Sequence, residues 1–122
     1  MDRLFVPMCR REFLLFQSGR KTFEVRRRGR QWTKQFVTQG RKVEIRLGYG
    51  KTYKALWGTI SLVYEVGSVD ELFETVPFKQ VMPVAGNLEI AKEFALWEFF
   101  GTGGLDTSFK LDLIAFEVIL NK

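Results

Sequence analysis

The chain has no histidine, a single cysteine and three prolines in 122 residues. Without histidine, a Ser-His-Asp triad, a Cys-His pair and a Cys/His zinc site are all excluded, and Cys9 alone cannot form an internal disulfide. Any catalysis falls to carboxylates, Lys, Tyr, Ser, Thr or Arg, or to a metal held by oxygen ligands; no cofactor and no metal is expected. No apolar run approaches the roughly 20 residues of a membrane span. The opening "MDRLFVPMCRREF" lacks the uninterrupted apolar core of a signal peptide. A cytoplasmic protein without a membrane partner is the expectation.

What is present is a globular composition, 46% apolar and 27% charged with twelve Phe and three Trp. A chain of this length buries roughly two thirds of its unfolded surface, enough for one real core, and a single domain over residues 1–122 is expected. The net charge of +5 hides an asymmetry. Residues 1–54 hold fifteen bases and four acids, a net of +11, whereas residues 55–122 hold four bases and ten acids, a net of −6. A positive lobe of this kind attracts polyanions whatever the details of the fold.

Hydrophobic periodicity gives the element order β-α-β-β-β-α-α-β. Residues 3–6 form a short strand stopped by Pro7. Cys9, Phe13 and Phe16 then stand at helical spacing over 8–17, and Gly19 sits where a left-handed C-cap ends that helix. In "KTFEVRR" the period changes to two: Phe23 and Val25 share one face, and Thr22, Glu24 and Arg26 the other. "VEIRL" (43–47) repeats the alternation, and "KALWGTISLVYEV" (54–66) is a long strand in which Gly58 suggests a bulge or bend. Ser68 and Glu71 open a helix as a capping box. Asn87 and Gly101 bracket another helix, "LEIAKEFALWEFF", with Ile90, Phe94 and Trp97, together with Ala91 and Ala95, as its apolar stripe. "FKLDLIAFEVIL" (109–120) reads as a buried strand. This order suggests an α+β fold with a small curved or closed sheet.

The stretch "SGRKTFEVRRRGRQW" carries the functional signal. Glu24, set among Lys21, Arg26, Arg28 and Arg30, can fix its basic neighbours and accept hydrogen bonds from a base edge such as a cytosine amino group. It can equally act as general base on a water with Lys21 steadying an oxyanion, or simply brace the strand as an ion-pair cluster. Arginine pairs bidentately with phosphate, and Trp32 or Tyr53 could stack an unpaired base; Trp32 could as well belong to the core. "GYGKTYK" is not a phosphate loop, because the first glycine of that motif would fall at Ile45 inside a strand. A hairpin turn adding Lys51, Tyr53 and Lys54 to the basic surface is the better reading.

Gly19, Lys21, Glu24 and Arg26 stand at the G-x-K-x-x-E-x-R spacing, and on this motif the chain resembles the ASCH domains, relatives of the PUA domain. The layout is similar too: a helix ending at the glycine, the motif as a strand, Gly40 before the next strand, and a last strand carrying an acid, Glu117. The resemblance implies a small PUA-like β-barrel with flanking helices, a cleft lined by the motif, and RNA binding or nucleotide chemistry. Two positions depart from the family pattern. Gly40-Arg41 replaces a frequent Gly-Asp, and Glu24 stands where the branch resembling an acetylcytidine amidohydrolase has a threonine nucleophile, the threonine here being Thr22. The expected function is therefore an RNA- or nucleotide-binding domain, its partner single-stranded, using Lys21, Thr22, Glu24, Arg26, Arg28, Arg30, Trp32, Lys51, Tyr53 and Lys54. The alternative is a small hydrolase, a modified-nucleoside amidohydrolase or a ribonuclease, with Lys21 and Glu24 as catalytic residues.

Overall fold

The computed structural model describes residues 2–48 and 54–121. Five strands and four helices follow in the order β1 (Leu4–Met8), α1 (Arg10–Gln17), β2 (Phe23–Arg27), β3 (Lys42–Leu47), β4 (Ala55–Val66), α2 (Val69–Thr75), α3 (Phe78–Val81), α4 (Leu88–Phe100) and β5 (Leu113–Leu120). The strands form one sheet in the order β1-β3-β4-β5-β2, with β1 parallel to β3 and every other pair antiparallel. The sheet curls into a half-barrel with flanking helices, an α+β architecture of the PUA-like kind.

Alternation along the strands sends side chains to two cores. Phe23 and Val25 on β2, with Leu113 and Ala115 on β5, pack against Leu72 of α2 and Leu96 and Phe99 of α4. On the opposite face Val6, Ile45, Ile60 and Phe116 fill the inside of the curl, closed at one end by Phe13 and Phe16 of α1. Each such fully buried side chain contributes about 1.5–3 kcal/mol.

The helix ends follow their sequence signals. Ser68 accepts from the Glu71 N–H at 3.0 Å and Asn87 from the Ile90 N–H at 2.9 Å, while Gly101 takes a left-handed φ of 79°. These groups satisfy backbone donors and carbonyls that a helix end leaves open. Three expectations are corrected. Pro7 does not stop β1, which runs on to Met8 because β1 is an outer strand, where a residue without N–H is tolerated. The irregularity in β4 falls between Ile60 and Val63, not at Gly58. At Gly58 a Cβ would stand 2.7 Å from the Ile119 carbonyl oxygen and 2.7 Å from Val118 Cγ1, so glycine is there for close approach of β5. Finally, of the expected stripe of α4 only Ala91 and Ala95 turn inward, with Leu96 and Phe99, while Ile90, Phe94 and Trp97 are 40%, 45% and 58% exposed. A helix apolar around most of its circumference does not reveal from its own sequence which face is covered.

Candidate nucleotide-binding site

The geometry of the motif begins at the end of α1. Gly19 adopts φ 80°, which only glycine reaches without strain, and the N–H groups of Arg20 and Lys21 both donate to the Leu15 carbonyl at 3.1 Å. This reversal folds Lys21 back along α1 before the strand begins. Its ammonium lies 3.3 Å from Glu12 and 3.3 Å from Glu24, and 5.7 Å from the centroid of the Phe16 ring.

Glu24 and Arg26 stand opposite Phe116 and Ile114 of β5, so both point into the curl. The Arg26 guanidinium holds Glu24 Oε2 through Nε at 3.0 Å and Nη2 at 2.7 Å. Nη2 also donates to the Pro7 carbonyl at 2.8 Å, tying β2 to β1 across the seam where the half-barrel stays open. Above the guanidinium lies the Trp32 ring, its centroid 4.6 Å from Cζ, and that ring is itself stacked with Phe116.

Lys21 and Glu24 are both buried. Burial alone would push the Glu24 carboxyl up, but Lys21 and Arg26 outweigh it and hold the group below the ordinary carboxylate range. For Lys21 burial works against the ammonium, and Glu24 and Glu12 more than offset it, leaving its pKa above that of a free lysine. Both are charged at neutral pH.

Between the ends of β1 and β2 lies a hollow of about 390 Å³. Glu24, Arg26 and Arg27 line it from β2, Met8 and Cys9 from the end of β1, Glu12 from α1, and Glu98 and Phe99 from α4. Its floor includes the outer edge of β2. The Arg28 N–H bonds to Asp112 beside β5, so by alternation the backbone groups of Val25 and Arg27 face away from β5 and toward the hollow. The Val25 N–H meets the Glu24 carboxylate at 3.3 Å. Glu98, on the rim, has its carboxyl pushed up by partial burial and by the neighbouring charges of Glu24 and Glu12, with Lys21 and Arg11 opposing. Glu12, Glu24 and Glu98 share the hollow, yet among the described residues no three His, Cys, Asp or Glu side chains converge closely enough to hold a metal ion.

The structure brings together Lys21, Glu24, Arg26 and Trp32 and separates the remaining candidates from them. Thr22 faces Gln80, 3.4 Å from its Oε1. Arg28, just past the strand, pairs with Glu65 at 2.9 Å and Asp112 at 3.0 Å. Arg30 is exposed in the following turn with φ 50°, and Lys54 is exposed immediately before β4. Lys51 and Tyr53 lie outside the described residues. Glu117 accepts a hydrogen bond from Ser61 at the β4 irregularity, away from the hollow. Sequence reasoning did not find Glu12 and Glu98. Both sit on helices far from the motif in the chain, and only the fold brings them to it.

Half-barrel, flanking helices and a strand at the open seam give the chain a PUA-like fold. Comparison with solved structures is more specific: the chain has the fold of an ASCH domain. The structure of ASCH from Zymomonas mobilis superposes with a TM-score of 0.61 at 15% identity, over 94% of this chain and 65% of that one. The crystal structure of hypothetical protein PH0355 gives 0.70 at 14% identity over 98% and 100% of the two chains. The solution NMR structure of protein PF0455 from Pyrococcus furiosus gives 0.61 at 15% identity over 99% of each. At these identities the likeness is one of fold. No family model and no curated protein matches the sequence. Among the described residues no helix is long and apolar enough to cross a membrane.

Proposed function

We propose that the chain binds single-stranded RNA or a nucleotide, with one base held in the hollow between β1 and β2. The observation that carries this reading is the hollow itself. At about 390 Å³ it falls within the range of small-ligand pockets, and it presents a fixed carboxylate beside open strand-edge groups. An ionised Glu24 accepts from an exocyclic amino group, as a carboxylate does from cytosine N4. The Arg27 backbone N–H and C=O offer a donor and an acceptor in the plane of the strand. Arg27, whose guanidinium rests 3.4 Å from the Phe99 carbonyl at the edge of the hollow, supplies a cation for a phosphate.

The ionisation of the cluster favours binding over hydrolysis. A general base works best with a pKa near the operating pH. Glu24 is held below even its ordinary value, and Lys21 is held as an ammonium between two carboxylates. Both serve as fixed charges, positioning Arg26 and the base.

Fluorescence anisotropy with a labelled single-stranded RNA tests the proposal. Because Arg26 and Arg28 are committed to carboxylates, about three phosphates should be neutralised, and log K should fall against log salt with a slope of about −2. A flat titration, or equal binding by Arg27→Ala and the parent protein, would count against it.

A further inference from the structure

A second cavity lies beside the first. Of about 220 Å³, it is bounded by Arg11 and Leu15 of α1, by Met82 and Val84 after α3, and by Phe94 and Trp97 of α4. Glu12 and Glu98 line both cavities and form the wall between them. Phe94 and Trp97 are 45% and 58% exposed, which leaves two neighbouring aromatic side chains open to solvent. Trp97 also has a loop packed beside it. Gly103 passes so close under Trp97 that a Cβ there would stand 2.6 Å from the indole Nε1 and 2.0 Å from Glu93 Oε1, and that carboxylate receives the Gly104 N–H at 3.1 Å. The loop at Gly103 therefore lies against one side of the indole and leaves the rest of it to solvent.

We infer that this groove is a second base subsite, in which the nucleotide next to the one in the hollow stacks on Trp97 and Phe94. The inference rests on the reading of the hollow as a base site. Two observations favour a nucleobase over another occupant. The groove adjoins the hollow, Glu12 and Glu98 lining both, and consecutive nucleotides of one strand require such neighbouring sites. It combines aromatic faces with a basic residue, Arg11, beside the wall that an intervening phosphate would cross. Stacking on an aromatic side chain needs an unpaired base, so the ligand is a single strand of at least two nucleotides. Trp97 is then a determinant of strand binding rather than of base identity, since every base has a stackable face.

Calorimetric binding of cytidine monophosphate and of a six-nucleotide single-stranded RNA, to the parent protein and to Trp97→Ala, Trp97→Phe and Glu24→Gln, separates the possibilities. Trp97→Ala should weaken the oligonucleotide by about 5- to 150-fold and leave the mononucleotide unchanged, with Trp97→Phe restoring most of the loss. The inference is overturned, and the reading of the hollow kept, if Glu24→Gln weakens both ligands while Trp97→Ala weakens neither or both equally. It is also overturned if the protein is a dimer in solution that Trp97→Ala dissociates, for then a second copy covers this face. If Glu24→Gln alters neither ligand, or neither ligand binds the parent protein, the base site itself fails and the second subsite with it.

Discussion

Replacing Glu24 by glutamine keeps the shape of the side chain and removes its charge. The carboxylate faces Lys21 at 3.3 Å, Arg26 at 2.7 Å and the Val25 N–H at 3.3 Å. Removing one partner of a buried ion pair costs about 3–5 kcal/mol when the other charge is left alone. Here neither cation is left entirely alone. Lys21 keeps Glu12 at 3.3 Å, and Arg26 keeps the Pro7 carbonyl and a side chain 23% exposed to water. The expected loss therefore lies at the bottom of that range, about 3 kcal/mol. With a urea m-value of about 1.5 kcal/mol/M the unfolding midpoint should fall by about 2 M.

The same substitution has a signature in pH. The folded-state pKa of Glu24 lies below the unfolded value, so its contribution is fully present above about pH 4.3 and is lost as the pH falls through the lower folded value. Lys21 is shifted the other way: its contribution is fully present below about pH 10.4 and is lost as the pH rises through its raised folded value. Urea unfolding of both proteins from pH 7 downward should show the gap between them narrowing in acid. A midpoint shift below about 0.5 M at pH 7, or a gap independent of pH, would refute the account of the cluster.

Other outcomes follow from the same geometry. Gly58→Ala places a methyl group 2.7 Å from a backbone carbonyl that cannot rotate away, and thermal denaturation should show a loss of about 1–3 kcal/mol. Arg26→Lys keeps the charge but loses the paired contact with Glu24, the link to Pro7 and the stack over Trp32; a stability loss of about 2 kcal/mol and a change in tryptophan emission are expected, and unchanged values of both would speak against the seam contact. Glu98, its carboxyl pushed up, should protonate before Glu24, whose carboxyl is held down, so RNA affinity should rise as the pH falls toward the carboxylate range, and in Glu98→Gln this rise should be diminished.

Much of the fold was legible because its signals are local. Gly19 ends α1, Ser68 and Asn87 cap their helices, and the alternation of β2 assigns Phe23 and Val25 to one face and Glu24 and Arg26 to the other. The four-residue α3 is too short for periodicity to register. Which side of α4 is covered, whether Pro7 lies on an outer strand, and why Gly58 is small all depend on neighbours distant in the chain. The site divides in the same way. Lys21, Glu24 and Arg26 were marked by their spacing, whereas Glu12 and Glu98 reach the hollow only through the packing of α1 and α4. The motif reading set Arg28 among the bases around Glu24, but the strand ends at Arg27 and Arg28 turns to Glu65 and Asp112.

An open half-barrel has two exposed borders, and such borders are where strands from other molecules can add on. Pro7 offers no hydrogen-bond donor on one border, and its carbonyl is already occupied by Arg26 from the other. The residues that span the gap therefore also guard it: a ligand with hydrogen-bonding edges can enter, while a foreign strand seeking a regular ladder finds the register broken. Loss of this clasp should first appear as intermolecular association at high protein concentration, before any loss of the fold.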